Sequence, residues 1–292
     1  MGVPVHVWQP PLLESTVGKR VVVSSVVGSN KELASEIEEK LLALAPRDSG
    51  RVTKFASSDS LQQQEAIHLV SATDEEPSDL ALASVARQED VDFLLRGQIL
   101  EQRFPGPDKE NHLTVSWRLT SLQGQQAAEG APVVVNRDSA IETYPDLALQ
   151  SDTQQILTTA AVRDTYRLVT PSISRDRVQL AIPYLLYGSK EVRRGNALAL
   201  AGRWAEAEKV WRVVMENNPT QIAAVHNLAL AAAAAQEFSK AKALARKAVR
   251  SQPTKLHKET LVWIELRQRD YHQSFGIPDP PEGWFVTSQP QP

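Results

Sequence analysis

The chain has 292 residues, 42% hydrophobic and 23% charged, with a net charge of −3 at pH 7. That is material for two packed domains, and the lack of a basic excess argues against nucleic acid or anionic lipid as the main partner. With no cysteine, disulfides, thiol catalysis and cysteine metal sites are excluded, and no apolar run approaches the roughly 18 residues of a membrane span.

From the N-terminus, Met1 to Val7 contain neither the basic region nor the apolar core of a signal peptide, and Pro10-Pro11 read as an extended leader. A chain whose export signal and lipid-bearing Cys had been removed would begin this way, and so would a cytoplasmic protein with a ragged start. Val21, Val22 and Val23 form a β-branched run suited to a buried strand. Asn30 is placed as an N-cap before Leu33, Ile37, Leu41 and Leu42 at helical spacing. Val52 to Phe55 suggests a second strand, and Ser57 to Ser60 would cap a helix carrying Leu61, Ile67 and Leu69. An acidic loop from Ala72 to Ser78 and a helix from Leu80 to Arg87 follow.

Val91 to Leu100 is apolar and interrupted by Gly97. Leu113, Val115, Trp117 and Leu119 alternate with Thr114, Ser116, Arg118 and Thr120, the two-residue period of a half-buried strand. Gln123-Gly124 supplies a turn, Ala131 to Val135 a closing strand, and Leu147 to Leu168 a helix ending before Pro171. The order of elements predicts a mixed sheet with helices packed against it.

Val21 to Val23, Ala83 to Gln88, the run Val91-Asp92-Phe93-Leu94-Leu95-Arg96-Gly97, and Leu119 to the turn Gly124 resemble the α/β domain of the curli-secretion lipoprotein family. Related envelope lipoproteins and the amino-terminal domain of TolB share that fold. Glu89-Asp90 stands where the family has a small residue, and no membrane-inserting hairpin is evident. The resemblance therefore implies an envelope binding or assembly domain in preference to a secretion channel.

The second half carries an internal repeat. Gly202, Trp204, Ala207, Trp211, Val214 and Pro219 align with Gln236, Phe238, Ala241, Ala245, Ala248 and Pro253 at a constant offset of 34 residues, as 253 − 219 shows. That period and pattern are similar to the tetratricopeptide repeat, a helix hairpin whose stacked copies form a groove. Trp204 and Trp211 are expected between helices, Ala207 and Ala241 at their closest approach, and the prolines at the unit ends. Leu256, Leu261, Trp263, Ile264 and Leu266 predict a capping helix.

The register turns Val192, Asn196, Ala199, Ala223, His226, Asn227, Leu230 and His257 toward the groove; Asn196, His226, Asn227, Leu230 and His257 are the candidate partner-binding residues. The repeat family's best-known ligand is a C-terminal carboxylate held by two Asn and flanking Lys or Arg. Asn196 and Asn227 fall on the Asn positions, but Val192, His257 and Leu261 occupy the basic ones, and without those charges a carboxylate gains little. An apolar or helical peptide fits this Ala-rich face better.

No phosphate loop, G-x-S-x-G elbow, H-E-x-x-H pair or dinucleotide fingerprint is found. The histidines His6, His68, His112, His226, His257 and His272 show no ligand spacing, and Asp74-Glu75-Glu76 reads as a solvated loop. No catalytic residue, metal or cofactor is assigned. The expected fold is α+β: a leader over 1–17, a mixed α/β domain over 18–172 and a linker over 173–187. Repeats follow over 188–275 (units 188–221 and 222–255, capping helix 255–270), then a Pro-rich tail over 276–292. The expected function is a non-catalytic interaction scaffold of the bacterial cell envelope, periplasmic or outer-membrane-associated, that binds a protein or peptide through its repeats. A membrane enters only through a lipid anchor outside this chain, and no nucleic acid is expected. The alternatives are a cytoplasmic adaptor, a subunit of an envelope secretion or assembly complex, and an enzyme whose site lies in the first-half sheet.

Overall fold

A computed structural model describes residues 2–13, 15–24, 26–45, 53–57, 90–103, 111–122 and 129–285. Its strands are β1 (Val3–Gln9), β2 (Arg20–Val23), β3 (Lys54–Ser57), β4 (Phe93–Arg103), β5 (His112–Ser121), β6 (Glu129–Asn136) and β7 (Ser172–Val178). The helices are α1 (Lys31–Ala43), α2 (Arg137–Thr143), α3 (Thr153–Val169), α4 (Ser189–Leu200), α5 (Trp204–Asn217), α6 (Ile222–Ala234), α7 (Phe238–Ser251) and α8 (Lys255–Phe275). The fold is α+β and divides into two units, Pro11–Pro171 and Met1–Pro10 together with Ser172–Pro292.

The first unit is a five-stranded mixed sheet in the order β3-β2-β4-β5-β6. β2 runs parallel to β3 and β4, while β4-β5 and β5-β6 are antiparallel. The alternation read in β5 is realised: Leu113, Val115, Trp117 and Leu119 are buried, and the residues between them are not. Gly97 pairs across from Trp117, whose indole lies over it; a Cβ there would stand 2.7 Å from Trp117 Cζ3. Asn30 caps α1 by accepting from Leu33 N at 3.1 Å, and Leu33, Ile37 and Leu41 enter the core together with Ile156, Leu157 and Val169 of α3.

Several expectations shift in this unit. The helix expected over 147–168 is broken: a 3₁₀ turn spans Pro145–Leu149, and α3 restarts where Asp152 accepts from Gln154 N at 2.9 Å. The helices placed around Leu61 to Leu69 and Leu80 to Arg87, and the acidic loop at 72–78, lie outside the described residues.

The second unit is helical and also carries a ribbon. Val3–Gln9, read as part of an extended leader, is a strand antiparallel to Ser172–Val178, read as part of a linker, with Val3 opposite Val178 and Gln9 opposite Ser172. Val3, Val5 and Val7 alternate with Pro4, His6 and Trp8 and pack with Val178 and Leu180 against the helices. Pro4 is tolerated because this strand has one neighbour and an open edge. Trp204 Nε1 donates to Pro4 O at 3.1 Å, and Trp263 Nε1 to Asp176 Oδ2 at 2.8 Å.

The helices form two antiparallel hairpins, α4–α5 and α6–α7, followed by α8. Gly202 and Gln236, 34 residues apart, both turn with positive φ, 78° and 63°. Ala207, Ala241 and Trp211 are fully buried. α8 runs five residues beyond the expected 270 and ends at Gly276, whose φ of 59° is left-handed. The described part of the tail folds back onto the helices: Glu282 pairs with the buried Lys242 at 2.7 Å, and Phe285 N donates to Glu265 Oε1 at 2.6 Å. The Trp284 ring is approached by Arg269 at 5.1 Å and His272 at 5.5 Å, and the Phe285 ring by Arg246 at 3.8 Å.

Candidate functional site

On α4, Val192, Gly195, Asn196 and Ala199 make the packed face, spaced as one side of a helix requires. Gly195 leaves room for the Trp211 indole, whose Nε1 donates to Val192 O at 3.1 Å. On α6, residues Ala224 through Ala233 are all buried, so the helix is enclosed on every side. The alanines keep it thin enough for that. Asn196 and Asn227 therefore sit in a region where an amide needs partners.

Those partners belong to the chain itself. The segment following β7 presents Ala181 to both amides. Ala181 N donates to Asn227 Oδ1 at 2.8 Å, and Ala181 O accepts from Asn227 Nδ2 at 3.2 Å and Asn196 Nδ2 at 3.0 Å. Asn227 Nδ2 also donates to Asn196 Oδ1 at 2.8 Å, which fixes the pair in one orientation. Leu180 beside them is buried in the same apolar cluster as Val192 and Leu228. The groove expected to be open is thus filled by residues Gln179 to Ala181.

His226 is buried and donates from Nε2 to Gln179 O at 3.2 Å. Burial pushes its pKa down to about 4; the bond to Gln179 O works the other way, and His257 adds to the lowering. The His257 ring lies 5.0 Å away, and its Nδ1 donates to Gln252 O at 2.6 Å, tying it to the α7–α8 turn. Leu230 is buried in the helical core. Asn196, Asn227 and His226 thus meet one strand of chain, His257 stacks behind His226, and Leu230 supports the packing.

Chemically, two neutral amides and a neutral imidazole offer donors and an acceptor to a main chain and no charge to a carboxylate. That suits an uncharged peptide group in an extended segment. Sequence periodicity located the two Asn, but the Gln-Leu-Ala segment that fills the site lay in the stretch read as linker.

In the sheet unit an open hollow of about 570 Å³ is lined by Ser29, Glu101, Gln102, Arg103 and His112, with His112 Nε2 3.2 Å from Glu101 Oε2. Glu101 is mostly exposed there, so the pair sits at the water-facing rim. Among the described residues, no group of three or more His, Asp or Glu side chains is placed to hold a metal ion.

No protein-family model matches this sequence, and no curated protein matches it. Among solved structures it is similar to the PelC dodecamer from Paraburkholderia phytofirmans, with 15% identity, a TM-score of 0.32, and 58% of this chain and 98% of that chain covered. It is also similar to the LpoB C-terminal domain from Escherichia coli, at 19% identity and a TM-score of 0.28 over 40% of this chain and 84% of that one. Lipoprotein GNA1162 from Neisseria meningitidis matches at 10% identity and a TM-score of 0.28, over 50% and 97%. Likeness this distant assigns neither an activity nor a partner to this chain.

Proposed function

We propose that this chain is a non-catalytic interaction scaffold of the bacterial cell envelope, in which a tetratricopeptide-type helical unit holds extended polypeptide. One observation carries the reading: Asn196 and Asn227 together satisfy both the N–H and the C=O of a single residue, Ala181. A side-chain pair that reads both backbone groups recognises a main chain whatever its side chains, which is what a peptide groove needs. The two hairpins at a 34-residue period, with left-handed turns at Gly202 and Gln236, support the repeat assignment. The envelope assignment rests on the resemblance of the sheet unit to curli-secretion lipoproteins.

In this reading residues 179–181 are the resident occupant, and a partner segment of similar extended, small-residue character replaces them. A labelled peptide spanning Arg177 to Pro183 tests it against the full chain and an Ala181→Pro variant, which has lost the donor to Asn227. Binding to the variant at concentrations where the wild type stays unlabelled supports the groove as a receptor. Absence of binding to a folded variant sinks that reading and leaves the clamp a structural fastening. Fractionation of the source cells tests the location: recovery in the soluble cytoplasmic fraction alone overturns the envelope assignment.

A further inference from the structure

The clamped segment leads directly into Ile182-Pro183-Tyr184-Leu185-Leu186-Tyr187, where five large apolar side chains stand in water. Leu185 is fully exposed, Tyr187 89% and Tyr184 74%. Single exposed hydrophobic residues need no explanation, but five in six consecutive positions do. This is not a slack loop. Its first root is Ala181, held by Asn227 and Asn196, and Arg193 Nη2 donates to Pro183 O at 3.1 Å. At its second root, Ser189 Oγ accepts from Leu186 N at 3.1 Å and the buried Gln221 donates from Nε2 to Tyr187 O at 3.0 Å. Leu186 O accepts from Ser189 N at 3.1 Å. Leu185 takes a left-handed φ of 51°, an unfavourable conformation for a branched side chain.

Charge surrounds the loop on one side. Lys190, Arg193 and Arg194 occupy positions i, i+3 and i+4 of α4, on the face opposite buried Val192, Gly195 and Asn196, and all three are exposed. The bond from Arg193 to Pro183 places that face beside the loop. Cations in the opening turns of a helix work against its dipole, so they add nothing to the helix itself.

We infer that the 182–187 loop is a membrane-docking element that inserts its apolar tips into the interface of an anionic bilayer, with Lys190 and Arg194 on the headgroups. Three features favour a bilayer over a protein. The Pro183 carbonyl, both backbone groups of Leu186 and the Tyr187 carbonyl are bonded internally, which holds the roots in shape. The main chain of the tips is left to the hydrated headgroup layer while the side chains reach below it. Tyr184 and Tyr187 flank Leu185 and Leu186, placing amphipathic rings where headgroups meet acyl chains. A six-residue loop falls far short of the roughly 20–30 residues a side of a stable protein interface, whereas interfacial insertion needs only the tips and a basic surround. The near-neutral total charge, which argued against anionic lipid, conceals this local excess. The inference is independent of the groove's being a receptor.

Vesicle flotation of the full chain decides it, using phosphatidylcholine alone and a 3:1 mixture with phosphatidylglycerol. The chain is expected to float with the mixed vesicles and to be released by 0.5 M salt. Leu185→Ser/Leu186→Ser, which removes no packing from the core, should weaken partitioning at least tenfold with an unchanged circular dichroism spectrum. Lys190→Gln/Arg194→Gln should weaken it by about fivefold per charge. Leu185→Trp should shift its added fluorescence to the blue on mixed vesicles. The inference is overturned if the wild type does not float, or floats equally well without Leu185 and Leu186. Self-association in lipid-free buffer that depends on those two leucines also overturns it and assigns the loop to a second copy of the chain.

Discussion

Replacing Asn227 with Ala tests the clamp most directly. The substitution removes three hydrogen bonds: from Ala181 N at 2.8 Å, to Ala181 O at 3.2 Å and to Asn196 Oδ1 at 2.8 Å. Ala181 O keeps its bond from Asn196, so one main-chain group, the buried Ala181 N–H, is stranded. An unsatisfied buried amide costs about 1–3 kcal/mol, and the space left by the carboxamide adds to it, so a total loss of about 2–4 kcal/mol is expected. Asn196→Ala strands no group of Ala181 and should cost about 1 kcal/mol. Asn227→Asp keeps the acceptor for Ala181 N but sets a carboxylate oxygen against two other oxygens, so it should be no better than Ala. Urea unfolding followed by tryptophan fluorescence suits the measurement, because Trp8, Trp204, Trp211, Trp263 and Trp284 all lie in the helical unit. If Asn227→Ala stays within about 0.5 kcal/mol of wild type, or costs no more than Asn196→Ala, the bonds do not hold the segment.

Three further outcomes follow from the same unit. Gly195→Ala improves helix propensity by about 1 kcal/mol yet should lower stability by about 2 kcal/mol through overpacking, because its Cβ would sit 2.7 Å from Cδ1 of the fully buried Trp211; a raised melting temperature would refute the packing. His226 carries a depressed pKa, about 4 folded against 6.5 in its ordinary state, so the unfolded chain binds the extra proton and stability falls as pH drops through that window. Between pH 7 and pH 5 the loss should be about 2 kcal/mol, and His226→Gln should flatten it; an unchanged slope in that variant places the titration elsewhere. Trp284→Ala removes the ring that meets Lys242, Arg269 and His272, and should open the chain after Gly276 to limited proteolysis while leaving helix content intact. Equal cleavage of wild type and variant would mean that the tail is not held there.

What could be read from the sequence was what is local or periodic. The β5 alternation and the Asn30 cap need only neighbours within a few turns and the 34-residue echo needs only a constant period, and each has its counterpart in the structure. The N-terminal strand was missed although Val3, Val5 and Val7 alternate, because the Pro10-Pro11 pair made the start read as extended leader. Its partner also lies far along the chain, at Ser172–Val178. Register turned Asn196 and Asn227 toward a groove expected to be open, but periodicity says which face a residue takes and nothing of what covers it. Both are buried under the chain's own Ala181. The apolar run at 182–187 lay in the stretch read as a linker, and its exposure depends on the tertiary bonds at its roots. The tail's docking through Lys242 joins residues 40 apart by charge and ring contacts that leave no periodic trace.

The clamp and the loop share a residue, and that makes their occupancies interdependent. Ala181 is both the occupant of the Asn pair and the last fixed residue before Ile182. A partner segment that displaces residues 179–181 loosens the loop's first root, where only the Arg193 bond to Pro183 then remains, and leaves the second held by Ser189 and Gln221. A loop loosened at one end must be ordered again before its tips can insert, and that ordering opposes docking. Mixed vesicles should therefore weaken binding of the Arg177–Pro183 peptide, and the peptide should weaken vesicle binding by the same factor, since linkage is reciprocal. A coupling of about fivefold or more is expected, and Ala181→Pro, with its root already loosened, should show weaker vesicle binding and little coupling. The measurement is peptide titration by fluorescence anisotropy with and without phosphatidylglycerol vesicles. Peptide affinity that is indifferent to lipid, in a chain that binds both, would show that the loop keeps its shape without the clamp. The Asn pair would then serve the groove alone.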